Sequence, residues 1–310
     1  MKVSCRKAFT ETLLLHARKN SNIMALTTDS SGSVTLGEYI KELPEQYVEL
    51  GIAEQNAVTV GAGLATDGKN VFVCGPACFL AARSFEQLKI DVAYNKTNVK
   101  IIGVSAGVSY GPLGGTHTAL HDIAGARALP NLHIYVPSDA VQTSFLTNYL
   151  CETDEPAYLR MGRSDVEAVY SEKDIFEIGK AKTVIEGKDL TIIACGEMVY
   201  PAKHAAEQLR EQGVQVRLLD LFCLKPFDRD AIIRAAEETG AILTVEEHSI
   251  NGGLGELVAH TVAEHCAVPM KIMGFPDEEI LVGQSAELFQ HYGFTAEKIT
   301  RAAVELMGRK

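Results

Sequence analysis

Apolar and polar positions alternate along this 310-residue chain in two recurring ways. Short, nearly all-apolar runs such as Val99–Val104 read as strands buried on both faces of a parallel sheet. Between them lie longer stretches with apolar residues at helical spacing. In order, the pattern predicts a helix over 9–19, a strand over 22–28 and an extended run over 47–52 that turns into a helix of small residues. A strand follows over 71–75, then a helix from about Ser84 to Tyr94 and the strand at 99–104. A glycine-rich loop over 107–115 opens a helix near Thr118, and strands at 133–137 and 157–161 flank a helix beginning at Asp139.

The stretch 164–188 is more charged and less periodic and reads as a linker. A second alternating set follows, with strands at 190–195, 215–219 and 241–245. The expected class is therefore α/β, with two doubly wound domains over 1–165 and 189–310 joined by a linker over 166–188. In such sheets ligands collect at the carboxyl ends of strands, which would gather Asp29, Phe79 and His117 on one rim. The turn Asn251-Gly252-Gly253-Leu254-Gly255 lacks the glycine spacing of a dinucleotide site and reads as a tight entry into a packed helix.

Composition narrows the classes. Hydrophobic residues make up 46% of the chain, enough for a sizeable core, and no apolar run approaches a membrane span. The first residues lead into an amphipathic helix and not an apolar signal core, so a cytoplasmic, non-membrane protein is expected. A net charge of −11, with no basic stripe, argues against nucleic acid. Seven scattered cysteines show neither a disulfide framework nor metal-ligand spacing and read as buried thiols.

Glu54 stands where the extended run meets the small-residue helix. A carboxylate in a first helical turn is an ordinary start signal favoured by the helix dipole. In an apolar, crowded setting it would also be able to share a proton with a ligand nitrogen. His117, at the end of the glycine loop, is open to a structural or a proton-moving role.

The wording Gly51-Ile52-Ala53-Glu54-Gln55-Asn56 resembles the activating-glutamate segment of the transketolase family of thiamine-diphosphate enzymes. The likeness is greatest to the C-terminal subunit of split transketolases and runs along essentially the whole chain. It implies a pyrimidine-binding domain followed by a transketolase C-terminal domain. In that family the glutamate holds N1′ of the aminopyrimidine ring, and the shared proton activates the cofactor. The resemblance further implies that Ile52, Phe79 and Phe85 line the pyrimidine seat. It places His117 of Gly115-Thr116-His117 beside the thiazolium and substrate, and gives Arg163 the sugar-phosphate tail.

Departures from the family pattern bear on substrate. Leu113 stands where full transketolases carry an Asp that reads substrate hydroxyls, and Ser105 stands in place of a strand-end histidine. No second phosphate-gripping arginine follows Asp29. Ordinary pentose phosphates are thus no better expected than a branched or deoxy sugar phosphate.

The family's Gly-Asp-Gly metal and diphosphate segment is not found in this sequence, and Asp67-Gly68 lacks the companion glycine. The resemblance then implies an N-terminal partner subunit that carries the diphosphate domain and holds most of the Mg or Ca. It implies a homodimer core within a heterotetramer, transferring a two-carbon ketol unit between sugar phosphates. Two other readings stand beside it: a beta-type subunit of a 2-oxoacid dehydrogenase or deoxyxylulose-phosphate synthase-like enzyme, and a non-catalytic binding module that kept the fold.

Overall fold

The computed structural model describes residues 2–310. Strands β1 (Val3–Ser4), β2 (Ile23–Thr27), β3 (Tyr47–Glu49), β4 (Asn70–Pro76), β5 (Val99–Val104), β6 (His133–Tyr135), β7 (Ala157–Arg160) and β8 (Asp165–Val166) lie in the first half. The second half contributes β9 (Lys182–Ile185), β10 (Leu190–Ala194), β11 (Val216–Asp220), β12 (Cys223–Lys225), β13 (Ile242–Ser249) and β14 (Met270–Phe275). A seven-stranded sheet in the order β12-β6-β7-β5-β4-β2-β3 and a five-stranded sheet in the order β14-β13-β10-β11-β9 form the two cores. Both are α/β layers, as expected.

Every residue of β2, β4 and β5 is buried because helices cover both faces of the first sheet. On one face the helix Cys5–Ala17 drives Phe9 and Leu13 into the core, with the Phe9 ring 6.2 Å from that of Phe72. Burying each such side chain stabilises the fold by about 1.5–3 kcal/mol. On the other face lies the small-residue helix Glu54–Thr66. A Cβ on Gly61 would stand 2.9 Å from Val73 Cγ2, so only glycine lets this helix press onto β4.

Several boundaries differ from expectation. A helix forms at Ala77–Arg83 and breaks at Ser84, whose hydroxyl donates to Leu80 O. A short helical piece at Phe85–Gln87 then runs into a wide π turn at Leu88–Tyr94. The glycine loop closes as a 3₁₀ segment, Gly111–Thr116, and the next helix begins at Asp122, not near Thr118. Within the charged stretch expected to link the halves, β8 pairs with β1 and β9 forms the antiparallel edge of the second sheet. The second half also returns β12 to the first sheet, antiparallel to β6. Six cysteines are buried and free, while Cys266 is only half-buried.

The turn at 251–255 enters the packed helix Leu254–His265. The Leu254 and Gly255 N–H groups donate to the Glu246 carboxylate at 2.6 and 2.7 Å, so a side chain of the protein already fills that anion seat.

Candidate active site

The carboxyl ends of β2, β3, β4 and β5 open onto one cleft of about 410 Å³. Its walls include Asp29 after β2, Ile52 and Glu54 after β3, and Phe79 after β4. Tyr110, Leu113 and His117 come from the glycine loop after β5. Two loops are held by one carboxylate. Glu49 accepts hydrogen bonds from the backbone N–H groups of Asp29 and Gly51 at 2.7 and 2.8 Å, and from Thr27 Oγ1 and Tyr47 Oη. Burial alone would raise its pKa, but these donors prevail and pull it to about 2.

Glu54 is the first residue of its helix and is 4% exposed. A carboxylate so buried requires a partner, and Arg83 Nη1 supplies one at 3.1 Å from Oε1. The Arg83 guanidinium also lies over the Phe79 ring, 3.9 Å from its centroid. The Phe79 ring in turn meets the His117 imidazole edge-on at 5.2 Å, and Tyr110 meets it from another side at 6.0 Å. His117 Nδ1 lies 2.8 Å from Thr116 Oγ1, a contact that fixes the ring. Leu113, 56% exposed, and Ile52, 74% exposed, form apolar rims.

The remaining residues singled out in the sequence fall elsewhere. Arg163 is set back from the cleft, and its Nη1 donates to Tyr110 Oη at 2.7 Å, so it bears on the cleft through that tyrosine. Arg6 braces it from the first helix by donating to Arg163 O. Ser105 is fully buried with φ 54° and its hydroxyl has no hydrogen-bond partner, so it does not reach the cleft. Phe85, beyond the break at Ser84, packs toward Gly125 and is not part of the cleft wall. Arg83 and Tyr110 were missed, although signals existed. Arg83 follows Phe79 by four residues on one helix, and Tyr110 sits inside the glycine loop.

Behind the cleft lies a buried polar layer. Arg160 Nε and Tyr158 Oη both donate to Asp122 Oδ2 at 2.7 Å. Arg160 Nη2 reaches Ala119 O and Glu247 O. Burial opposes ionisation of Asp122, but the Arg160 and His248 side chains and these donors hold its pKa below the usual carboxylate range. Burial pushes Glu197 up to about 7 and Glu247 up to about 8, the Glu197 charge adding to the rise at Glu247.

A model of the transketolase pyrimidine-binding domain matches residues 1–168, and one of the transketolase C-terminal domain matches residues 179–299. The chain belongs to the transketolase family. An apulose-4-phosphate transketolase subunit of Phocaeicola vulgatus is 55% identical over 306 residues, covering 98% of each chain. The 6-deoxy-6-sulfo-D-fructose transketolase subunit SqwH of a Clostridium species is 36% identical over 305 residues, 98% of this chain and 95% of the relative. A solved split-gene transketolase, described as an inactive β4 tetramer, superposes with a TM-score of 0.90 at 37% identity over 99% of both chains.

These likenesses make the chain a transketolase-type transferase subunit. Family membership implies thiamine diphosphate. The cleft fits one end of that cofactor: a buried carboxylate suits a ring nitrogen and the Phe79 face suits a flat ring. Among the described residues no cluster of three or more His, Cys, Asp or Glu could hold a metal ion, and no helix is long and apolar enough to cross a membrane.

Proposed function

We propose that this chain supplies the pyrimidine-binding half of a two-chain transketolase that moves a two-carbon ketol unit between sugar phosphates. The observation that carries the reading is the buried Glu54 carboxylate facing the same cleft as Phe79 and His117. When bound, the cofactor supplies the carbanion chemistry. Glu54 would hold a proton at the ring nitrogen, and Phe79 would orient the ring face. His117 would move or steady a proton on the substrate side, with Tyr110 and Thr116 fixing its ring. Arg163, whose Nη1 donates to Tyr110 Oη, would add a positive field behind that tyrosine toward a phosphate at the open end.

Under this reading an N-terminal subunit carries the diphosphate site and the Mg or Ca, and two copies of each chain form a heterotetramer around a homodimer of this chain. Support comes from the 55% identical relative, which is itself named as one subunit of a transketolase, and from the split-gene description of the structural neighbour. Leu113 in place of a hydroxyl-reading Asp leaves room for a branched or deoxy sugar phosphate as well as an ordinary ketose phosphate.

The test is to co-purify this chain with a candidate partner containing a Gly-Asp-Gly segment. Ketol transfer is then assayed with thiamine diphosphate and Mg across a panel of ketose phosphates, including a branched one. Transfer that requires both chains and the cofactor supports the proposal. No transfer by a stable, cofactor-loaded complex on any ketose phosphate would overturn it.

A further inference from the structure

Arg83 touches the same two groups that the cofactor reading assigns to the aminopyrimidine ring. Its guanidinium lies 3.9 Å above the Phe79 ring centroid and its Nη1 donates to Glu54 Oε1 at 3.1 Å. A guanidinium is flat, stacks on aromatic faces and donates in its plane, so it offers Phe79 and Glu54 what a protonated aminopyrimidine would offer. The two partners differ in one respect: the guanidinium only donates to the carboxylate, whereas a ring nitrogen can exchange a proton with it.

The rest of Arg83 is suited to leaving. It is the last residue of the helix Ala77–Arg83, next to the break at Ser84, and its side chain is 48% exposed. Glu54, by contrast, is anchored at the start of its helix and its side chain is only 5% exposed. A half-exposed arginine at a helix end can move into solvent at modest cost, while the buried carboxylate stays in place.

We infer that Arg83 is a placeholder for the cofactor's pyrimidine ring, neutralising Glu54 in the unloaded site and leaving it when the cofactor enters. The arrangement keeps a buried carboxylate from standing unpaired before loading. It also sets a built-in competition that weakens cofactor binding. This inference rests on the proposed thiamine-diphosphate reading of the same cleft.

The experiment measures cofactor affinity, not turnover. Thiamine diphosphate with Mg is titrated by calorimetry into the two-chain complex containing wild type, Arg83→Met or Arg83→Lys. Methionine keeps a flexible apolar stem against Phe79 but cannot pair with Glu54. Arg83→Met should bind the cofactor about three- to tenfold tighter than wild type, the scale of one displaced, partly exposed ion pair. Arg83→Lys, which keeps the charge without the flat guanidinium, should fall between them. Thermal melts of the unloaded complexes should show Arg83→Met the less stable, since Glu54 loses its partner. If wild type binds and Arg83→Met binds equally or more weakly, the placeholder is wrong while the cofactor reading stands. If neither complex binds the cofactor, the cofactor reading fails and the placeholder with it. A loaded structure with Arg83 still on Glu54 would also overturn the inference.

Discussion

Glu247 Oε1 accepts the Val108 N–H at 2.8 Å, so a residue of the second half holds the first turn of the loop that carries His117. A Cβ on Gly107, whose φ is +61°, would stand 2.0 Å from that same oxygen, so only glycine admits the contact. Paired hydrogen bonds between Gly107 and Ala119 close the loop at its base. The second half thus acts on the cleft without lining it: its Glu247 carboxylate fixes where the loop begins, while Arg160 of β7 holds the loop's end at Ala119 O.

This carboxylate makes stability pH-dependent. Burial raises Glu197 and Glu246 to about 7 and Glu247 to about 8. A carboxyl group raised in the folded state contributes stability below its unfolded pKa and loses it as pH rises through the folded value. His248, lowered to about 4 by burial, opposes this only on the acid side, and Lys100, lowered to about 7, opposes it only above neutrality. The melting temperature should therefore fall between about pH 5 and 8. Glu247→Gln keeps the acceptor for Val108 and removes the charge, so its melting temperature should gain on wild type across that window. Parallel curves for the two proteins would refute the assignment.

Glu54→Gln should leave the fold and partner binding intact while removing turnover. The amide has the volume of the carboxylate and keeps an oxygen to accept from Arg83 Nη1, so the fold should hold. A neutral amide cannot exchange the proton that the ring nitrogen requires. Loss of at least about tenfold in kcat, or roughly 1.4 kcal/mol, is expected in the assembled complex. Turnover above a tenth of wild type would sink the role given to Glu54.

The strands of the first sheet were legible because fully buried parallel strands are almost uniformly apolar, and β5 falls on the expected residues 99–104. Edge strands were not. Lys182–Ile185 and Cys223–Lys225 are short and mixed in polarity, and β12 joins a sheet built from the other half of the chain. Local pattern contains no signal for such a pairing. At the cleft, Asp29, Phe79 and His117 were legible from their places beyond strand carboxyl ends, and Glu54 from its helix start and the wording of its segment. Ser105 and Phe85 lie off the cleft for backbone reasons: a left-handed residue buries Ser105, and the helix break at Ser84 turns Phe85 toward Gly125.

Arg160→Leu tests the polar layer behind the cleft. Arg160 and Asp122 are both buried, and the guanidinium also satisfies Ala119 O and Glu247 O. Removing it leaves the buried Asp122 carboxylate without its cation, held only by Tyr158 Oη, and takes one donor each from Ala119 O and Glu247 O, which should cost about 3–5 kcal/mol. Chemical denaturation of the isolated chain would show this, and a loss under about 1 kcal/mol would mean that the layer tolerates the unpaired charge. Asp122→Asn should cost less, because Tyr158 and Arg160 still find an acceptor oxygen.

Leu113 offers the sharpest handle on substrate choice. It projects from the cleft rim with 56% of its surface exposed, on the same cleft as Asp29 and in the same loop as His117. An apolar side chain there neither rewards a substrate hydroxyl nor strongly rejects its absence, since one apolar contact discriminates by only about 1–3 kcal/mol. A carboxylate at the same place would accept from a hydroxyl and penalise substrates that leave it unpaired. Leu113→Asp should therefore shift the ratio of kcat/KM values toward ketose phosphates with a linear hydroxylated chain and away from branched or deoxy ones. Because Leu113 is exposed, the change should cost little stability, and an altered ratio would report recognition, not unfolding. Ser105→His should act differently: that position is fully buried, so the larger side chain should lower the melting temperature before it alters substrate preference. The ratio measured across a panel of ketose phosphates, with melts alongside, separates the two. An unchanged ratio in Leu113→Asp with intact cofactor binding would show that the rim at Leu113 does not meet the substrate.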